Sequence, residues 1–321
     1  MQSNDGKIHA PVVMIGYNRE WAIKKSLTNL SQCKGVEKRD VFVYIDAPYR
    51  IEDARSVSEM IDAAQEFKNK IPKLRIISRS VNYGVPGNLV EAITEIVNKY
   101  GRLIFFEDDV LVSRTFLEYM DEGLEKFESD PKIWSINGYC DHMLYIPWFY
   151  SGDVFLSPRV NAWGFGTWKD RWNAVDFSLE EWKKTNKNKS EIKKIEARLG
   201  WRFSKCLNDL LEGKDRTWDY QCTYHMYKND LFAITPRKSL TKNIGLGVDS
   251  VHCQWCDWNA RMHKYFNFMP KIPQGAKLKP CFYILRQFGC KSQVEAFFRG
   301  CARVFHRFLV KWGNFNDECK V

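Results

Sequence analysis

The sequence has no Gly-x-Gly-x-x-Gly after its first apolar run and no Walker A pattern. A dinucleotide on a glycine-rich turn and a triphosphate in a P-loop are both excluded, so any nucleotide must be held through a metal and side chains. No stretch approaches 18 uninterrupted apolar residues, and the opening Met-Gln-Ser-Asn-Asp-Gly-Lys carries no apolar signal region. The expected location is cytoplasmic, at the inner face of a membrane if the tail described below binds one. The 10 cysteines lack the dense, regular spacing of a disulfide scaffold and read as mostly free thiols of a reducing compartment. Internal repeats and low-complexity segments are also missing.

What is present suits a large α/β domain. At 321 residues the chain exceeds the usual single-domain size of roughly 100–200 residues. An elaborated C-terminal half accommodates the excess. Aromatics make up 15% of the chain, enough to line a sugar or base pocket as well as fill a core. The net charge of +10 favours anionic partners such as nucleotides or anionic lipid.

Strands read at 11–16, 41–45, 74–77 and 103–106 alternate with helical patterns at about 20–30, 57–64 and 89–100. That spacing predicts parallel βαβ units with right-handed crossovers. Each strand then ends at one rim of the sheet, in Gly16 to Arg19, Asp46, Arg79 to Asn82, and Glu107 to Asp109. Ligands of open α/β sheets bind at that rim. Further strands are expected at 132–137, 150–157 and 231–234, with helices at 113–127, 192–211 and 217–228. Residues 238–250, rich in glycine, read as a mobile loop.

The pivotal stretch is Arg102 to Leu111, where four apolar residues run into Glu107, Asp108 and Asp109. Three adjacent carboxylates need a compensating charge. A divalent cation with oxygen ligands supplies it, and such an ion in turn holds phosphates. A solvated acidic turn after the strand is the alternative reading. The aromatic loop Arg159 to Trp168 places Trp163 and Gly164 where a tight turn could meet a sugar, or where a glycine simply packs.

The tail 294–312 has helically spaced Val294, Phe297, Phe298, Val304, Phe305, Phe308 and Trp312, with Arg299, Arg303, Arg307 and Lys311 between them. A basic amphipathic helix of this kind suits an anionic membrane interface, the alternative being docking on its own domain.

The acidic block with its flanks, Glu107 to Met120 followed by Asp130 to Asn137, resembles the metal-motif block of GT-A fold glycosyltransferases. The likeness is greatest to the N-acetylglucosaminyltransferase that initiates hybrid and complex N-glycans and to bacterial surface-glycan sugar transferases, and it spans about residues 10 to 252. It implies a Rossmann-like, mostly parallel sheet flanked by helices, with a helical, aromatic-rich C-terminal extension. The halves would be 1–140 for the nucleotide sugar, 141–260 for acceptor and catalysis, and 261–321 for the extension.

The resemblance also implies roles. Asp109 matches the direct Mn²⁺ (or Mg²⁺) ligand, and His252 would complete the metal shell. Glu107 and Asp108 would position the donor and the metal's waters, and Arg19 and Asp46 would bind the donor. Asp219 matches the catalytic base, and Trp163, Gly164 and Trp218 would form the acceptor and sugar loop. The implied partners are a nucleotide-sugar donor, with UDP as the nucleotide, and a glycan or lipid-linked glycan acceptor. The implied activity is hexosyl or N-acetylhexosaminyl transfer with inversion.

Rival classes are weaker in the sequence. A nucleotidyltransferase needs a glycine-rich basic loop after its first strand, for which Gly16 to Arg19 is too short. Nucleic acid is not expected as a partner, because basic residues are scattered or confined to the tail and to 183–197, with no recognition module. His252, Cys253 and Cys256 suggest zinc only weakly, since no second Cys pair accompanies them.

Overall fold

A computed structural model describes residues 9–142, 144–215, 217–245, 264–273 and 278–289. His252, Cys253, Cys256 and the tail 294–312 lie outside them. Along the chain come β1 (Val12–Gly16), α1 (Glu20–Leu30), β2 (Val41–Ile45), α2 (Ala54–Gln65), β3 (Leu74–Ser78), α3 (Gly84–Tyr100), β4 (Arg102–Glu107), β5 (Val110–Val112) and α4 (Phe116–Lys126). They are followed by β6 (Ile133–Asn137), β7 (Val154–Ser157), β8 (Phe165–Trp168), α5 (Lys169–Asn173), α6 (Glu180–Thr185), α7 (Lys189–Leu199) and α8 (Phe203–Leu211). Last come α9 (Asp219–Lys228), β9 (Phe232–Pro236), β10 (Thr241–Asn243) and α10 (Phe282–Leu285).

Eight strands form one sheet in the order β3-β2-β1-β4-β8-β6-β9-β7. Only β8 and β7 run against the others, so the mixed, mostly parallel α/β architecture expected from the sequence is present. Strands from both expected halves share this sheet. Alternation along the strands divides the core between two faces. Val12, Met14, Val43, Ile45, Ile104 and Phe106 pack beneath α1, α2 and α4. Val13, Ile15, Phe42, Tyr44, Leu103 and Phe105 pack against α3 and a Trp-rich layer from β6, α5 and α9. Because β1, β2 and β4 are covered on both faces, their central residues are apolar and polar groups stand only at strand ends, Arg102 where β4 enters and Glu107 where it leaves.

Several elements depart from expectation, each for a local reason. Helix α3 begins at Gly84, not Leu89: Gly84 turns the chain at φ +70°, and Pro86 sits in the first turn, where no hydrogen-bonded N–H is required. Gly101, at φ +80°, ends that helix by donating its N–H to the Val97 carbonyl and delivers the chain directly into β4. The helix expected over 192–211 is broken at Gly200, φ +105°, into α7 and α8. The aromatic glycine stretch includes an unexpected central strand, β8. A Cβ on Gly166 there would lie 3.1 Å from Leu124 of α4 and 3.3 Å from the Leu103 carbonyl, so glycine marks a close approach within a strand.

Within the segment expected to be a mobile loop, Thr241–Asn243 forms β10, paired antiparallel with β5. Among the described residues no helix is long and apolar enough to cross a membrane, and Cys33, Cys206, Cys222 and Cys281 are free thiols.

Candidate active site

The parallel register brings the ends of β1, β2 and β4 to one rim, where Gly16 lies opposite Ile45 and Ile15 opposite Glu107. Past Glu107 the chain is held tightly. The Asp108 N–H donates to the Ile15 carbonyl at 3.1 Å, and the Ser26 hydroxyl of α1 lies 2.7 Å from the Asp108 carbonyl and 2.9 Å from that of Val110. Two neighbouring carboxylates are thereby fixed at the rim and almost removed from water: Asp108 is 2% and Asp109 5% exposed.

Arg19, which immediately precedes α1, answers this charge. Its guanidinium donates to Asp108 Oδ1 and, at 2.7 Å, to Asp109 Oδ2. The other Asp109 oxygen accepts from Asn243 Nδ2 at 3.1 Å, and Ile244 N–H donates to the Asp109 carbonyl at 2.8 Å. Gly245 N–H closes the arrangement on Asn243 Oδ1 at 2.7 Å. The β5–β10 pairing is what carries Asn243 and Gly245 to the acids. These two escaped the sequence reading, and their signal was an Asn-x-Gly following a short run that could pair as a strand.

Burial sets the electrostatics. The Asp108 carboxyl is pushed up to about 7, chiefly by loss of water, with Arg19 pulling it down and Asp109 pushing it further. Half-buried Glu107 is held well above the ordinary carboxylate range, again by burial first, then by Asp109 and Asp108. Asp219 adds to that rise, so its charge reaches the acidic rim. Asp46, buried behind β2, accepts through Oδ1 from the N–H groups of Ala47 and Tyr83 and so pins the turn before α3.

Asp219 opens α9, where the helix dipole favours a carboxylate. Trp218 holds it there. The sequence reading placed Trp218 in a sugar-contacting loop, but the side chain is 3% exposed and packs among Phe105, Phe165 and Trp172 at ring separations of 5.9, 5.4 and 6.3 Å. It presents no face to a sugar. Gly164, at φ +113°, has its Cβ position 3.0 Å from Thr241 and 3.4 Å from Phe116, so this glycine is required by packing. Half-buried Trp163 meets Tyr139 edge to face at 4.5 Å.

Among the described residues no three His, Cys, Asp or Glu side chains converge as a metal cage. Asp108 Oδ2 is nevertheless buried without a hydrogen-bond partner, in a cluster of acids with Arg19 as its paired cation. Such a donor set fits a divalent ion held by one or two carboxylates and completed by phosphate and water oxygens, not one enclosed by protein alone.

No family model and no curated protein matches the sequence. Some solved structures are similar over part of the chain. TarS 1–349 of S. aureus is 12% identical, with TM-score 0.45 over 74% of this chain and 61% of that one. The mannosyltransferase PcManGT from Pyrobaculum calidifontis, in complex with GDP-Man and Mn²⁺, is 11% identical, with TM-score 0.38 over 70% of this chain and 69% of that one. The galactosyltransferase LgtC, with donor and acceptor sugar analogues, is 10% identical, with TM-score 0.38 over 82% and 84%. Against the longer TarS structure the chain spans 25% of that protein. At 10–12% identity and TM-scores of 0.38–0.45, these structures carry no role over to this chain.

Proposed function

We propose that this chain is a metal-dependent, inverting glycosyltransferase that moves a monosaccharide from a nucleoside diphosphate sugar, with UDP as the nucleotide, to a hydroxyl of a glycan or lipid-linked glycan. The observation that carries this reading is the buried Asp108–Asp109 pair at the rim of β4, bridged by Arg19 and within electrostatic reach of Asp219.

In this reading Asp109, with Asp108 beside it, would hold a Mn²⁺ or Mg²⁺ ion, and His252, outside the described residues, would be its further protein ligand. When bound, such an ion neutralises charge on the diphosphate. Arg19 is the chain's own cation at the same place and turns from the carboxylates toward the phosphates as the donor enters. Asp46 and Glu107 orient the nucleoside and sugar. Asp219 accepts the proton of the acceptor hydroxyl as its oxygen bonds to the anomeric carbon and the bond to the diphosphate breaks on the opposite face.

The test combines binding and turnover. UDP should raise the melting temperature in Mn²⁺, and both EDTA and Asp109→Ala should abolish that rise. Asp219→Asn should keep it while transfer falls by about 10²–10⁴-fold, the usual worth of a positioned base. UDP stabilisation that survives Asp109→Ala unchanged refutes the site.

A further inference from the structure

Beside Asp219 lies a second feature that donor binding does not use, a cleft of about 220 Å³ lined by Arg159, Trp201, Arg202, Phe203, Tyr220 and Phe288. Its charged side chains are Arg202, which lies over the Trp201 ring at 5.7 Å, and Arg159. The Arg159 guanidinium lies over the Phe203 ring at 5.7 Å, its Nε is buried with no hydrogen-bond partner, and among the described residues it makes no ion pair. Its Nη2 comes within 3.3 Å of where a Cβ on Gly200 would stand, so the break between α7 and α8 is what gives the group its place. Burial lowers the Arg159 pKa, and the charges of Tyr220 and Asp219 oppose that fall, which puts the guanidinium within reach of the candidate base.

A cation shielded from water and held in no direct ion pair is costly, and an anionic ligand in contact with it removes the cost. The size of the cleft limits that ligand. A cavity of about 150 Å³ admits benzene, and pockets for drug-sized molecules begin near 300 Å³, so this one suits a single substituted six-membered ring. The flat faces of Trp201, Phe203, Tyr220 and Phe288 suit the ring itself. Tyr220 directly follows Asp219 in the first turn of α9, and Asp219 acts electrostatically on both Arg159 and Tyr220, so a ring in the cleft lies within electrostatic reach of the group read as the base.

We propose that this cleft binds the acceptor, and that Arg159 recognises an anionic substituent on its sugar ring, either a carboxylate or a phosphate ester. The inference rests on the transferase reading for the word acceptor, but the binding site itself does not.

Ligand-observed NMR on the full chain, with and without UDP, tests it using glucuronic acid, glucose 6-phosphate, glucose and inorganic phosphate. At least one acidic sugar should bind about tenfold more tightly than glucose, and the preferred one identifies the anion. Inorganic phosphate should bind more weakly than the preferred sugar. Arg159→Gln should weaken that sugar about tenfold or more, as expected for a charge-assisted contact, and leave UDP affinity unchanged. Should that variant not fold, Phe288→Trp fills the cleft from its other wall and should block the acidic sugar but not UDP. Glucose binding as tightly as both acidic sugars, or acidic-sugar binding unaltered in the folded variant, overturns the proposal. If an acidic sugar binds through Arg159 and UDP does not bind, the cleft stands and the transferase reading falls. UDP binding with no acidic-sugar binding has the opposite meaning.

Discussion

Replacing Gly245 with alanine probes the acidic rim without removing a charge. The added Cβ would stand 2.0 Å from Asp109 Oδ2, 2.8 Å from its Cγ and 2.9 Å from Arg19 Nη1. The backbone has little freedom to withdraw, because Gly245 N–H is tied to Asn243 and Ile244 N–H to the Asp109 carbonyl. The carboxylate must therefore rotate away. Leaving its rotamer costs about 0.5–1.5 kcal/mol, and losing a hydrogen bond to a charged group costs about 1.5–3 kcal/mol. The second figure is discounted because the Arg19 side chain is 40% exposed. The sum is a loss of about 1–3 kcal/mol in urea unfolding, together with a fall of about tenfold or more in UDP affinity by titration in Mn²⁺. An unfolding midpoint and a UDP affinity both equal to those of the unsubstituted chain would refute this account of the rim.

In EDTA, stability should decline as pH rises from about 4 to 7, because folded Asp108 keeps its proton to about 7 while the unfolded chain releases it near 3.9. Asp108→Asn should flatten that part of the profile in urea melts; an unchanged slope counts against the burial argument. Trp218→Ala should cost about 3–5 kcal/mol, as expected for a core tryptophan, and a loss below 1 kcal/mol would return Trp218 to the surface. Phe298→Glu should reduce co-sedimentation with anionic vesicles, as expected if the 294–312 segment lies in a membrane interface; equal recovery argues for docking on the protein.

The βαβ half was legible because β1, β2 and β4 are buried on both faces and so carry long apolar runs, while the edge strand β3 keeps Leu74, Ile76 and Ile77 around Arg75. The acids were legible because Glu107, Asp108 and Asp109 interrupt such a run at its end. Beyond Asn137 the signals weaken. Strand β8 was hidden by Gly166, which is there to let α4 approach but reads locally as a turn. Trp218 was misplaced because a tryptophan beside a functional carboxylate looks the same in sequence whether it stacks on a ligand or props up the helix. Asn243 acts on Asp109 across 134 positions of chain, a partnership that only the β5–β10 register reveals. Arg159 had no sequence signal apart from its place at the head of the aromatic loop.

That long span between Asp109 and Asn243 also orders events at the ribosome. The three acids and Arg19 emerge early, and their surrounding strands pair as they appear. The clasp from β10 arrives more than a hundred codons later. Until then the nascent rim lacks the amide that fixes Asp109, so the proposed nucleotide site is completed only once β10 has emerged, not with the stretch that carries the acids.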